Sequence, residues 1–260
     1  MLKLSGVIIT YNEERNIERC LRSLIDIVDE IIVVDSFSTD KTKTICQSFN
    51  VTFIEQKFLG YIEQKNFALD QASYNYVISL DGDEALSETL QKSILQLKNN
   101  WEFDGYFTNR LNNFCGQWIK YSDWYPNRKL RVFDKTKAKW TGINPHDYVQ
   151  LHNVKSEVGH LEGDILHWTY QTYKEIDDKS HYFSSIASKA YFDEGITASL
   201  FKLIWNPSWA FFKAFILRLG FLDGKNGFRI CYQTGKITFL KYKKLRALYK
   251  SSVKTTSSRT

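Results

Sequence analysis

Cysteine, proline and long apolar runs are scarce in this chain, and each scarcity excludes something. The four cysteines (Cys20, Cys46, Cys115, Cys231) lie far apart, with no C-x-x-C and no histidine at finger spacing. Neither a zinc module nor a disulfide framework is indicated, and the four read as buried thiols in a reducing compartment. Three prolines and thirteen glycines exclude collagen-like and low-complexity chains, and no internal repeat marks a solenoid. The most apolar stretch, 203–222, is broken by Lys213 and Arg218, and its longest uncharged run is the ten residues 203–212. A spanning helix needs about 20 predominantly apolar residues, so none is expected. The N-terminus enters an apolar strand directly, without a secretory core, which predicts a cytoplasmic protein. Neither G-x-G-x-x-G after the first strand nor G-x-x-x-x-G-K-[ST] occurs, which argues against dinucleotide and P-loop sites.

What is present is ordinary globular composition, 43% hydrophobic and 25% charged over 260 residues, enough for one large domain with an appendage. The net charge of +6 is unevenly placed. Residues 1–100 hold 10 Lys and Arg against 15 Asp and Glu, residues 101–200 hold 12 against 13, and residues 201–260 hold 13 against one acid, Asp223. A basic C-terminal segment suits an anionic surface, either nucleic acid or a membrane.

The first hundred residues alternate strand and helix signals. Val7-Ile8-Ile9 precedes a helix with apolar residues at 17, 20, 21, 24 and 25, for which Asn12 is the candidate cap and Glu13 and Glu14 the first-turn acids. Strands are predicted at 31–34, 51–54 and 77–80, with helices after Ser38-Thr39-Asp40 and over 61–72. Continuous apolar strands separated by helices predict a parallel sheet covered on both faces, which binds ligands beyond its C-terminal strand ends. Past residue 100 the segments become short, aromatic and polar, as in mixed strands that extend the sheet. Helices return over 174–192 and in a stretch opened by Asn206-Pro207, a favourable cap and first-turn pair. The predicted sections are 1–100 and 101–195, two halves of one domain, and 196–260, an amphipathic basic extension.

Two of the strand ends carry acids: Asp35 after 31–34, and Asp81-Gly82-Asp83-Glu84 after 77–80. Two carboxylates one residue apart, with a glycine between them, can approach one divalent cation and a bound diphosphate. An isolated D-x-D is more often a solvated turn; the preceding β-α repeat and Asp35 shift the balance to a site.

These pieces resemble a known family. Val7-Ile8-Ile9-Thr10-Tyr11-Asn12-Glu13, Val33-Val34-Asp35-Ser36, Gln64-Lys65-Asn66-Phe67-Ala68 and Leu80-Asp81-Gly82-Asp83-Glu84, in this order, resemble the inverting family 2 glycosyltransferases of GT-A fold. Tyr125-Pro126-x-Arg128-x-x-Arg131-Val132-Phe133, Pro145-His146-Asp147 and 220–228 resemble more narrowly the bacterial lipopolysaccharide core β-glucosyltransferase branch. The likeness spans roughly residues 4–245. It implies a GT-A type α/β fold, with a Rossmann-like, mostly parallel sheet and a helical C-terminal extension. It implies Thr10, Tyr11 and Glu13 around the nucleotide base and ribose, Asp35 on uracil or ribose, Lys65 and Asn66 by the nucleotide-sugar, Asp81 toward ribose or sugar, and Asp83 on Mg²⁺ or Mn²⁺. Arg128 and Arg131 would stabilise the leaving diphosphate. Asp147 is the candidate base, standing one methylene shorter where the branch has His-Glu. His167 sits where such enzymes place a C-terminal metal ligand, against the alternative of a core histidine.

The implied activity is transfer of a hexose, glucose from UDP-glucose, onto a lipid-anchored oligosaccharide by direct displacement. The aromatic, cationic segment after 200 fits an interfacial membrane helix, with core packing as the alternative. The competing reading is a non-catalytic relative or a basic nucleic-acid-binding protein, which the intact Asp35, Asp81, Asp83 and Arg131 and the aromatic spacing disfavour; no nucleic-acid partner is expected.

Overall fold

In a computed structural model describing residues 2–144 and 146–257, β1 (Leu4–Thr10) lies between β2 (Glu30–Asp35) and β4 (Tyr76–Asp81), with β3 (Thr52–Glu55) outside β2. These four strands are parallel. β1, β2 and β4 are apolar runs buried on both faces, while the edge strand β3 is partly exposed; helices α1 (Ile17–Leu24), α2 (Thr42–Gln47) and α3 (Tyr61–Gln71) connect the four. Beyond β4 the sheet continues through β8 (Arg128–Asp134), β6 (Gly105–Phe114), β11 (Val158–Tyr170) and β5 (Glu84–Leu86), with β7 (Gln117–Ile119) on β6. The pairs β4·β8, β6·β8 and β11·β5 are antiparallel. The α/β class and the C-terminal helices stand as expected.

Two apolar clusters line the faces of this sheet. Leu4, Ile8, Leu21, Leu24, Ile78 and Leu90 lie in one, and Val7, Val34, Leu69, Val77, Phe133 and Trp140 in the other. The alternation along β1 divides its residues between them. A two-stranded ribbon, β9 (Ala138–Ile143) with β10 (His146–Leu151), contributes Trp140 and Val149 to the second cluster.

Chain contacts define two units: 1–112 with 127–168, and 113–126 with 169–260. The second unit contains α5 (Tyr173–Asp193), α6 (Leu200–Phe212), a π turn (Lys213–Leu217), a 3₁₀ turn (Gly220–Asp223) and α7 (Gly224–Ser257). Its core holds Phe114, Ile119, Ile176 and Ile230. Helix α7 approaches the 3₁₀ turn so closely that a Cβ on Gly227 would lie 1.9 Å from the Gly220 carbonyl oxygen, so only glycine fits there.

Several local expectations are corrected. Asn12 does not cap α1: it takes φ 54° and its Oδ1 accepts from the Thr39 amide, while the helix starts later, behind Asn16. Glu18, rather than Glu13 or Glu14, is the first-turn acid. Asn206-Pro207 does not open a helix. Ser199 caps α6, its side chain accepting from the Lys202 amide, and Pro207 lies inside. An interior proline costs about 3 kcal/mol in a helix, and packing against α7 offsets it here: a Cβ on Gly235 would sit 3.1 Å from the Pro207 carbonyl oxygen, so the missing side chain admits this approach. Two elements went unpredicted, β5 and α4 (Glu88–Leu97), although Ser87 as the cap and Leu90, Ile94 and Leu97 at i, i+4 and i+7 carry a helical signal for the second.

Candidate active site

The register brings the acidic ends together. Thr10 pairs with Asp35, and Ile9 with Asp81, so the parallel strands terminate at one edge. The turn after β4 needs glycine: a Cβ on Gly82 would lie 2.7 Å from Thr10 Oγ1. That hydroxyl is buried and has no partner among the described residues, which leaves a polar group unspent at the strand edge. Tyr11 beside it is 57% exposed, and Glu13 accepts from Asn16 Nδ2 at 2.7 Å. Asp35 is fully buried, its carboxylate accepting from the amide and hydroxyl of Ser38. It thus pins the turn after β2.

Opposite charges alternate along one chain of contacts. Asp147 Oδ2 lies 2.7 Å from Lys65 Nζ, which lies 3.0 Å from Asp81 Oδ1. Arg131 Nη2 reaches Asp81 at 3.4 Å and Glu84 at 3.2 Å, and Arg110 Nη1 meets Glu84 at 3.4 Å. Lys65 and Arg131 are each 3% exposed and Glu84 is fully buried. Removing either partner would strand a buried charge, which costs far more than the intact pair contributes. Burial pushes the Asp81 carboxyl up, but the charges of Lys65 and Arg131 more than offset it and hold the group well below the usual carboxylate range. Burial likewise opposes the Arg131 charge, which Glu84 and Asp81 restore, leaving its pKa raised.

Arg131 owes its aim to a bulge. The β6·β8 register passes from Tyr106↔Val132 to Phe107↔Leu130, so Arg131 falls at the shift, where a bulge re-aims a side chain. Trp140 forms the backing. Lys65 Nζ lies 4.3 Å from its ring centroid and Arg131 Cζ 5.0 Å, two cations on one aromatic. Asn66 fixes the tryptophan backbone in both directions, its Nδ2 donating to the Trp140 carbonyl at 3.0 Å and its Oδ1 accepting from the Trp140 amide at 3.0 Å. The side chain expected beside the nucleotide-sugar therefore braces β9.

A cavity of about 520 Å³ opens on this cluster, lined among others by Tyr61, Lys65, Asp81, Arg131, Trp140 and Asp147. Arg128 also lines it and is exposed. The structure thus brings Lys65, Asp81, Arg128, Arg131 and Asp147 to one cavity. Arg131, however, is buried and occupied by carboxylates, and Asp147 is ion-paired. Within the Pro145-His146-Asp147 motif, Pro145 lies outside the described residues.

His167, on β11, is no core histidine. Its Nε2 lies 3.2 Å from Asp83 Oδ2, and its Nδ1 lies 2.7 Å from Asn112 Oδ1. The Asn112 oxygen can only accept, so Nδ1 carries a proton. The lone pair of Nε2 would then oppose the Asp83 carboxylate, so positive charge is required between them: a second ring proton or a cation. Among the described residues no third His, Cys, Asp or Glu joins the pair. One carboxylate and one imidazole suit a divalent cation whose other ligands are phosphate and water oxygens, as Mg²⁺ prefers. The Asn112 contact orients the ring as second partners of metal-ligating histidines do.

Sequence reasoning overlooked Glu84, Arg110, Asn112 and Trp140 as site residues. Glu84 adjoins the acidic pair and could have been found. The others are brought in only by β6 and the β9·β10 ribbon.

Residues 5–152 match the family model "Glycosyl transferase family 2". The chain belongs to that family and is a glycosyltransferase. It is similar to an uncharacterized glycosyltransferase of Rickettsia typhi, 32% identical over 257 residues that cover 95% of this chain and 88% of the relative. It is also similar to the lipopolysaccharide core biosynthesis glycosyltransferase LpsC of Rhizobium meliloti, 28% identical over 86% of this chain and 82% of that one. Among solved structures, S. aureus TarS 1-349 in complex with UDP superposes with a TM-score of 0.49 at 14% identity, covering 96% of this chain and 92% of that chain.

Proposed function

We propose that the chain is a metal-dependent inverting hexosyltransferase that moves glucose from UDP-glucose onto a lipid-anchored core oligosaccharide while resting on an anionic membrane surface. The single observation carrying the reading is the Asp83–His167 pair, whose facing atoms need positive charge between them, which a divalent cation would supply, with Asp83 in the turn that follows Asp81, itself part of the lining of the cavity that holds Asp147. Asp83 and His167 would hold Mg²⁺ or Mn²⁺, which supplies charge neutralisation for a departing diphosphate. Thr10, Tyr11 and Glu13 form the base and ribose side, with the unpartnered Thr10 hydroxyl as a ready hydrogen-bonding group, and Asp35 holds the turn behind them through Ser38. Asp81 is kept ionised by Lys65 and Arg131 and addresses ribose or sugar. Arg128 faces the diphosphate, while Arg131 holds Asp81 and Glu84 in place. Asp147 takes the proton of the attacking acceptor hydroxyl.

The acceptor class is supported by the likeness to LpsC, and the membrane by the second unit. No helix among the described residues is long and apolar enough to cross a membrane. Instead Phe201, Ile204, Trp205, Trp209 and Phe212 stand exposed on α6 at i, i+3, i+4, i+8 and i+11, one helical stripe. With Lys202, Lys213 and Arg218 beside it, this stripe suits insertion at the headgroup boundary of anionic lipid.

The test is product analysis by mass spectrometry, with a panel of nucleotide sugars and deacylated lipopolysaccharide, with and without Mn²⁺. A hexose added from UDP-glucose only with metal present, and lost in Asp83→Ala, is the expected outcome. Activity of Asp83→Ala near that of the parent, or equal transfer in chelator, would sink the metal reading. Absence of transfer from every UDP-sugar would sink the donor reading.

A further inference from the structure

The cavity wall formed by β6 and β8 holds more positive charge than the donor reading uses. Three buried N–H donors there, Nε of Arg110, Nε of Arg131 and Nε1 of Trp140, have no acceptor among the described residues, and all three residues line the cavity. Arg131 and Trp140 are each 97% buried, at 3% exposure. Buried donors in folded proteins are nearly always satisfied, so three around one cavity call for an oxygen-rich ligand.

Charge gives the sign of that ligand. Lys65, Arg110, Arg128, Lys129 and Arg131 line the cavity against Asp81 and Asp147, with Glu84 buried beside Arg110 and Arg131. Assigning Arg128 to the diphosphate still leaves Lys129, which has no carboxylate within ion-pairing distance among the described residues. Burial lowers the Lys129 pKa, the charges of Arg110 and Arg131 lower it further, and Glu84 and Asp147 offset this only in part, so the ammonium faces an excess of like charge that an anion would relieve. Lys129 pairs with Thr108 and Arg128 with Asn109 in the β6·β8 ladder, which puts Arg110 next along β6. Lys129 and Arg110 thus stand on one face of the ladder, and Trp140 lines the same cavity as these two and Asp147.

We propose that Arg110, Lys129 and the indole N–H of Trp140 form an acceptor subsite for an anionic substituent, a phosphate or a carboxylate, carried close to the hydroxyl that is glycosylated. This rests on the reading of the cavity as the acceptor side of a hexosyltransferase. A neutral acceptor sugar would leave the excess cations and unpartnered donors unmet, whereas a phosphate or carboxylate oxygen accepts from guanidinium, ammonium and indole together.

The experiment is calorimetric titration of the full chain, saturated with UDP and Mn²⁺, with core oligosaccharide freed by deacylation of lipopolysaccharide. The glycan is used intact, dephosphorylated, and with its carboxylates reduced; hexose transfer to each is followed separately. One of the two stripped glycans should bind at least about tenfold more weakly than the intact one, the scale of a charge-assisted hydrogen bond, and which one identifies the anion. Lys129→Gln, which breaks no ion pair, should weaken the intact glycan by about the same factor and leave the stripped one unchanged. Arg110→Gln, which also releases Glu84, should act in the same direction, and UDP affinity should be preserved in Lys129→Gln. Equal binding of all three glycans, no binding of the intact glycan, or a parallel loss of UDP affinity in Lys129→Gln would overturn the subsite. Binding with the expected dependence but no transfer from any UDP-sugar would leave the subsite standing and refute the transfer reading.

Discussion

Lys65 is held 2.7 Å from Asp147 while it also contacts Asp81, so the candidate base and the donor-side carboxylate share one buried ammonium. Both carboxylates therefore depend on the same cation. Asp147→Asn should lower turnover by about 10²–10⁴-fold, the range for removing a general base, with the UDP dissociation constant changed by less than about twofold. Lys65→Met should destabilise the fold by leaving Asp147 without its cation and Asp81 with Arg131 alone, and adding Asp147→Asn should recover part of that loss. Steady-state kinetics and thermal melts of the four proteins in the cycle check this. Additive effects would show that the two residues act independently.

Asn66 binds both backbone groups of Trp140, and Trp140 is 3% exposed. Asn66→Ala leaves a buried amide and a buried carbonyl unpaired, at roughly 1–3 kcal/mol each. A fall in unfolding free energy of about 3 kcal/mol, read from urea midpoints at constant m-value, is expected. A loss of UDP affinity at unchanged stability would return Asn66 to the nucleotide-sugar.

The stripe on α6 is exposed at Phe201 (69%), Trp205 (54%) and Trp209 (47%), so changing all three to Ser removes little buried contact. Binding to vesicles containing anionic lipid should fall by at least about tenfold, while the melting temperature moves by only a few degrees. The parent should be partly released by salt, since each lysine or arginine at an anionic surface contributes about 1 kcal/mol that salt screens. Phe211 and Phe215 belong to a different set: both contact Phe228, and they stack on each other. Unfolding of the triple variant would place the exposed stripe in the core as well.

Asp29 supplies a pH dependence far from the site. Burial raises its carboxyl, but hydrogen bonds from Lys3, Lys98 and the Leu4 amide prevail and lower it from 3.8 to about 2. A depressed carboxylate contributes stability that is fully present above its unfolded pKa and lost as pH falls through the folded one. Asp29→Asn should therefore be less stable than the parent at pH 7, by about 1–2 kcal/mol with Lys98 left unpaired. The gap should close between pH 3.8 and about 2. A gap independent of pH would mean that packing, and not charge, is lost.

The parallel half of the sheet was legible because its signals are local. Apolar runs of four or five residues, helical spacing at 17, 20, 21 and 24, and acids at strand ends each lie within one element, and the β1·β2·β4 register follows from them. The acidic turn and its neighbours could be named as site residues on that basis. Only the tertiary structure decided what these residues touch. Lys65 and Asp147 are 82 positions apart, His167 and Asp83 are 84, and Arg131 and Glu84 are 47. No spacing in the sequence encodes such pairs. They depend on antiparallel strands that enter the sheet out of chain order, on a bulge that turns Arg131 inward, and on a ribbon that lays Trp140 against two cations. Burial then set the roles: it confined Arg131 and Asn66 to holding the wall, and left Arg128 and Lys129 facing the cavity.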